Sequence, residues 1–239
     1  MSKATLFISD LHLHPQRPAA LRAFAEFLQN YSHCERLFIL GDLFDVWVGD
    51  DDDSDIAQSV AQLLRSFTEA GPELFLMQGN RDFLLGDTYC HSAGGQLVPD
   101  PVVIDLQGIP TLLMHGDSLC TDDADYQAFR KMVRDPTWRA QTLSHSLDER
   151  RDLAKDLRSK SKESNSLKAM DIMDVSESAV VEAMQSHGVE QMIHGHTHRP
   201  ARHQVITGTR WVLGDWDEFG WVLEAERDEL SLKQFNIKQ

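Results

Sequence analysis

Cysteine is scarce in this chain, with only Cys34, Cys90 and Cys120 in 239 residues. An odd, widely spaced set excludes a disulfide framework and suits reduced thiols in a cytosol. Long apolar runs are also missing, and none approaches the ~18 residues of a membrane span. The start, Met1 to Asp10, has no basic region and no long apolar stretch with a small-residue cleavage site, so no signal peptide is expected. Basic residues are outnumbered, 23 against 38 acidic, for a formal net charge of −15. That balance argues against sequence-independent nucleic-acid binding, and no nucleic-acid partner is expected. No repeat, low-complexity linker or sign of an obligate protein partner is present. With 41% hydrophobic and 26% charged residues, the chain has the composition of one sizeable α/β domain with room for a small insertion.

The charge is unevenly distributed. Residues 126–170 hold eleven basic against six acidic side chains, a net +5, while the rest of the chain nets −20. A basic island in an acidic protein is a candidate surface for something anionic. Elsewhere short apolar runs alternate with amphipathic stretches. Thr5–Ser9, Leu37–Leu40, Leu74–Met77, Thr111–Met114 and Gln191–Ile193 predict buried strands. Leu21, Phe24, Leu28 and Ile56, Val60, Leu64, Phe67 recur at helical spacing. Val102–Leu106 and Ile109–Met114 flank Gln107-Gly108 as a hairpin. His203–Ile206, Arg210–Leu213, Trp221–Glu224 and Leu230–Phe235 predict further strands. The pattern predicts two packed sheets flanked by helices: a core of 1–125 and 171–239 with 126–170 inserted as a helical cap.

Each of the five predicted strands runs into polar residues able to hold a metal. They lead to Asp10-Leu-His12, Gly41-Asp42, Gly79-Asn80-Arg81-Asp82, His115-Gly-Asp117 and His194-Gly-His196-Thr-His198. Ligand sites of layered α/β folds lie beyond the carboxyl ends of strands, where such side chains converge. Imidazole, carboxylate and amide oxygen form a borderline-hard donor set without thiolate, suited to a pair of ions such as Mn, Fe, Zn or Co.

Asp10-x-His12, Gly41-Asp42, Gly79-Asn80, His115 and Gly195-His196-x-His198 together resemble the calcineurin-like metallophosphoesterase superfamily across almost the whole chain. The resemblance implies an α/β/β/α sandwich and a two-metal site. One ion would take Asp10, His12, Asp42 and His198, and the other Asp42, Asn80, His115 and His196. Many members have His after the Gly-Asn pair. Here that position is Arg81, which cannot donate a proton near neutral pH but can clamp a phosphate. Gly41-Asp-Leu-Phe-Asp-Val-Trp-Val-Gly-Asp50, Gly79-Asn-Arg-Asp-Phe-Leu-Leu-Gly86, His115-Gly-Asp-Ser-Leu-Cys-Thr-Asp-Asp123 and His194-Gly-His-Thr-His-Arg-Pro200 are similar to one branch, the UDP-2,3-diacylglucosamine diphosphatases of lipid A synthesis. So are Ser161-Lys-Glu-Ser-Asn165-Ser-Leu-Lys168 and Met170-Asp-Ile-Met-Asp-Val175.

That similarity implies hydrolysis of UDP-2,3-diacylglucosamine by water attack at the α-phosphorus, giving UMP and 2,3-diacylglucosamine 1-phosphate. It implies two Mn²⁺ per chain and peripheral attachment to the cytoplasmic face of the inner membrane of a Gram-negative bacterium. Asn80, Arg81 and His196 are the implied catalytic residues; with Asp123, Ser161, Asn165 and Lys168 they are also the implied substrate contacts. Cap residues such as Tyr126, Phe129, Met132, Trp138, Leu153 and Leu157 are expected to line an acyl groove, and the basic face, including Arg150, Arg151 and Lys155, to meet anionic headgroups. Asp50–Asp53 with Asp55 reads as a solvated acidic loop. His194 is expected to hydrogen-bond rather than ligate, and Asp82 to orient Asn80 or another ligand. Trp211, Trp216 and Trp221 read as packing aromatics, and Cys120 as a bystander. Other phosphoesterase activities, namely protein phosphatase, cyclic-nucleotide phosphodiesterase and nuclease, sit poorly with Arg81 and the cap signature. A non-catalytic scaffold sits poorly with seven intact ligand positions.

Overall fold

The computed structural model describes residues 4–167, 174–227 and 229–238, with only the helix path described over 160–167. The chain runs β1 (Thr5–Ile8), α1 (Pro18–Asn30), β2 (Arg36–Leu40), α2 (Asp55–Glu69), β3 (Glu73–Met77), α3 (Asp87–Ser92), β4 (Gln96–Val98), β5 (Val102–Leu106) and β6 (Ile109–Met114). A 3-10 turn at Asp117–Leu119 leads into α4 (Ala124–Val133), α5 (Pro136–Leu143), α6 (Leu147–Leu167) and α7 (Glu177–His187). The chain closes with β7 (Gln191–His194), β8 (Ala201–Val205), β9 (Gly208–Val212), β10 (Phe219–Glu226) and β11 (Glu229–Asn236).

Two sheets form, ordered β11-β10-β1-β2-β3-β4 and β5-β6-β7-β9-β8. Alternation along the strands explains the layering. Leu6 and Ile8 of β1 face outward onto Phe24, Phe27, Leu64 and Phe67 of α1 and α2. Phe7, between them, faces inward with Phe38, Leu40, Met77, Leu113, Ile193 and Trp211 to fill the space between the sheets. Phe7, Phe38 and Phe75 are in register on three parallel strands and stack at 5.3 and 4.6 Å. On the far side, Val180 and Met184 of α7 cover Leu112, Met114 and Met192. The result is the expected α/β/β/α sandwich.

Local chemistry fixes the helix starts. Pro18 opens α1, Ser54 Oγ accepts from Ala57 N–H at 3.4 Å at the start of α2, and Asp135 Oδ1 caps α5 through Thr137 and Trp138 N–H. Sequence periodicity marks neither α3 nor β4, which are too short to develop a period, nor α7, whose buried stripe is only Val180 and Met184. Among the described residues no helix is long and apolar enough to cross a membrane.

Candidate metal centre and adjoining cavity

Parallel register brings the site together. β1, β2 and β3 end side by side, so Asp10, Asp42 and Asn80 emerge along one edge. In the second sheet Met114 pairs with His194, which sends His115 and the 195–198 turn to the same edge. The turns are sharp. Asp10, His12, Asp42, His196 and His198 all have left-handed backbone, with φ between 48° and 68°. Non-glycine residues hold that conformation at a cost, and it concentrates at functional sites. Glycine is required beside them: a Cβ on Gly41, at φ 88°, would lie 2.5 Å from His115 Nδ1.

The side chains form two adjoining clusters. In one, His12 Nε2 lies 3.3 Å from His198 Nε2, which is 3.4 Å from Asp10 Oδ1. In the other, Asn80 Oδ1 lies 2.8 Å from His115 Nε2 and 2.9 Å from His196 Nδ1. Asp42 stands between, Oδ2 3.8 Å from His12 Nδ1 and Oδ1 3.8 Å from His115 Nε2. Asp10, Asp42 and His115 are fully or almost fully buried.

This donor set fits divalent cations. His115 Nδ1 faces the Leu40 carbonyl at 2.9 Å, which only accepts, so Nδ1 donates there and Nε2, 2.8 Å from Asn80 Oδ1, is the nitrogen left for a cation once its proton is displaced. Burial lowers the pKa of His115, but Asp42, Asp117 and Asp10 outweigh it and push it up to about 9. The field that raises its proton affinity also attracts a metal ion. His196, with burial dominant and His115 adding to it, is pushed down to about 4 and stays neutral, as a ligand must. Asp10 Oδ1 and His12 Nδ1 are buried without a protein hydrogen-bond partner, the state of donor atoms reserved for something else.

Asn80 and Arg81 also edge a cavity of about 270 Å³ that runs under α4–α6. Past Arg81 its walls turn apolar, with Trp47, Phe83, Phe129, Trp138, Leu153 and Leu157. At the neck, Asp45 sits between two guanidinium groups, 3.6 Å from Arg81 Nη1 and 2.5 Å from Arg158 Nη2.

Residues 4–200 match the calcineurin-like phosphoesterase family. The chain belongs to that family. A relative from Cellvibrio japonicus named UDP-2,3-diacylglucosamine hydrolase is 52% identical over 98% of this chain and 99% of its own. Relatives of the same name are 48% identical in Marinobacter nauticus, over 94% of both chains, and 49% in Pseudomonas aeruginosa, over 93% and 95%. Among solved structures, an archaeal phosphodiesterase superposes with a TM-score of 0.51 at 12% identity, covering 98% of this chain and 99% of that one. A hypothetical protein from Pyrococcus horikoshii gives 0.51 at 10%, over 98% and 88%.

In this phosphoesterase the seven predicted metal-ligand residues converge, with Arg81 beside them. Asp123 is buried, and its Oδ1 caps α4 by accepting from Tyr126 N–H at 3.0 Å. Ser161 and Asn165 lie on α6, where only the backbone is described, and Lys168 lies outside the described residues.

Some expectations are corrected and others are met. The 50–53 loop is not simply solvated: Asp50 accepts from Gly86 and Tyr89 N–H, Asp51 pairs with Arg150, and Asp52 and Asp53 pair with Arg151. Asp82 takes the second of its two expected roles: it accepts from the main-chain N–H of Asp42, and also from those of Gly79, Leu43 and Phe44, tying together two loops that carry predicted ligands, while making no contact with the Asn80 side chain. Among the described residues the arginines of the basic island turn inward, with Arg130, Arg134, Arg139, Arg150, Arg151 and Arg158 bonded to residues outside it, while Lys131 is exposed and Lys155 pairs with Asp152 at the surface. His194 bonds the Gly195 carbonyl and Arg210, as a non-ligand. Trp211 and Trp216 are core residues, and burial pushes the Cys120 thiol up to about 12, which suits a bystander. Sequence reasoning missed Asp45 at the cavity neck and Asp215, 3.4 Å from His198 Nδ1. Neither belongs to a recurring spacing that could have marked it.

Proposed function

We infer that this phosphoesterase hydrolyses UDP-2,3-diacylglucosamine at the α-phosphorus of its UDP moiety, releasing UMP and 2,3-diacylglucosamine 1-phosphate. The observation that carries the reading is continuity: a polar cluster suited to cations opens at Asn80 and Arg81 directly into an apolar cavity. A substrate with a diphosphate head and two acyl tails needs both parts, and the relatives carry that substrate in their names. In this reading 1–125 and 171–239 form the core and 126–170 a cap over the tails.

Asp10, His12, Asp42 and His198 hold one ion and Asp42, Asn80, His115 and His196 the other, with Mn²⁺ the preferred metal. When bound, such a pair supplies Lewis acidity toward phosphate and a water acidified to near neutral pKa. The chain's residues do the rest. Arg81, about one-third exposed at the cavity neck, clamps diphosphate oxygens and neutralises charge without giving up a proton. The leaving group is already a phosphate monoester, so charge neutralisation matters more than protonation. Asn80 and His196 hold equatorial oxygens, and Asp123, Ser161, Asn165 and Lys168 complete the substrate contacts. The enzyme works as a peripheral protein on the cytoplasmic face of the inner membrane. Since the cap's described arginines bond inward, membrane contact rests on the exposed Met132, Leu143 and Leu153 of the cap.

UMP release by Mn²⁺-loaded protein tests this, with UDP-GlcNAc and p-nitrophenyl phosphate alongside. Turnover confined to the diacylated nucleotide is expected. Equal turnover of all three would keep the metal centre and discard the lipid substrate.

A further inference from the structure

The two clusters of the metal centre are held from different parts of the chain. Arg17 precedes α1. Its Nη1 donates to the His12 carbonyl at 3.3 Å and the Leu11 carbonyl at 3.4 Å, and its Nη2 to the Trp216 carbonyl at 2.7 Å and Asp217 at 3.1 Å. Trp216 N–H in turn donates to the Asp10 carbonyl at 3.1 Å, and Asp215, next along, faces His198. One guanidinium therefore ties the left-handed Asp10–His12 turn to the turn behind His198.

The second cluster is gripped by α4. Tyr126, Arg130 and Arg134 recur every four residues and so share one helix face. Arg134 Nη1 donates to Gln78 Oε1 at 2.9 Å, and Nη2 to the carbonyls of Gly79 at 3.0 Å and Gln78 at 3.3 Å, immediately before Asn80. Arg130 reaches Asp117 and Asp100, and Asp100 accepts from His115 N–H at 3.2 Å. The Tyr126 ring lies over His196 at 6.0 Å and 27°. Among the described contacts, none from this face reaches Asp10, His12 or His198.

We propose that each half of the metal centre has its own arginine brace, Arg17 for Asp10–His12–His198 and Arg134 for Asn80–His115–His196, so that either ion can be weakened without the other. A planar fork spanning two main-chain carbonyls fixes their separation, which a flexible ammonium cannot do. Loss of groups that orient metal ligands lowers metal affinity by about 10–100-fold. The proposal rests on the two-ion reading above.

The test is Mn²⁺ titration by calorimetry, with electron paramagnetic resonance to separate paired from single ions. It compares the native chain, Arg17→Met and Arg134→Met, each also combined with His196→Ala. The native chain should bind two ions, and each arginine variant should weaken one by about 10–100-fold. With His196→Ala, where only the His12 half is complete, Arg17→Met should still weaken the remaining ion while Arg134→Met leaves it unchanged. Arg17→Lys and Arg134→Lys keep the charge without the fork and should give smaller losses in the same pattern; they carry the test if a methionine variant fails to fold by circular dichroism. A single ion in the native chain would overturn the two-ion reading and the braces with it. Two native ions that weaken together in either variant, or an Arg134→Met effect that persists with His196→Ala, would overturn the braces alone.

Discussion

Asp42 offers one carboxylate oxygen to each cluster, so its loss should damage both. We expect Asp42→Ala, and equally His115→Ala, to lower kcat by about 100-fold or more, measured as UMP release at saturating Mn²⁺. Arg81→Ala should lose activity while keeping the metal stoichiometry of the native chain; loss of bound metal would contradict a role toward phosphate. His194 makes a different prediction. Burial, reinforced by Arg210, pushes its pKa down to about 3 from 6.5. Below pH 6.5 the unfolded chain takes up a proton that the folded chain refuses, so stability is full above that pH and is lost as pH falls toward 3. Between pH 7 and pH 5 this amounts to at most about 2 kcal/mol. Urea unfolding at both pH values should show a smaller acid loss in His194→Gln, and equal losses would remove His194 as the cause.

Helix α6 is attached through the acidic loop before α2. Arg150 is only 4% exposed, bonded to the carbonyls of Val48 and His145 and to Asp51, while neighbouring Arg151 takes Asp52 and Asp53. Burying a guanidinium so completely is favourable only with its hydrogen bonds satisfied, and each such bond contributes roughly 1.5–3 kcal/mol. Truncation at Arg150→Met should therefore free α6. Amide exchange along 147–159 should speed up about tenfold or more, with the core strands β1–β3 unchanged. Uniform acceleration across the chain would show that Arg150 stabilises the whole fold and not this attachment.

At the scale of the whole molecule, the edge where both sheets end gathers buried carboxylates and left-handed turns that a cation would stabilise. Chelation should lower the unfolding temperature. An ion at ~100 times its dissociation constant adds about 2.7 kcal/mol, or roughly 5–10 °C for a chain of this size. Scanning calorimetry with EDTA and with Mn²⁺ checks this, and an unchanged midpoint would argue against a site that binds ions in the folded state alone. Two packed sheets and their buried strands were legible in the sequence, because short continuous apolar runs ending in polar residues are local patterns that survive without neighbours, while the sandwich order and the seven predicted ligand positions came from the resemblance those motifs carry. The sequence also singled out Arg81, since a departure inside a dense motif is visible in one dimension. The roles of Arg17, Asp45, Asp82, Arg134 and Asp215 emerge from the fold alone, since their partners are main-chain groups or side chains brought close by folding. The charge of residues 126–170 was legible, but not its direction: counting cannot tell that its described arginines bond back to residues outside the segment, because pairing depends on distance in space.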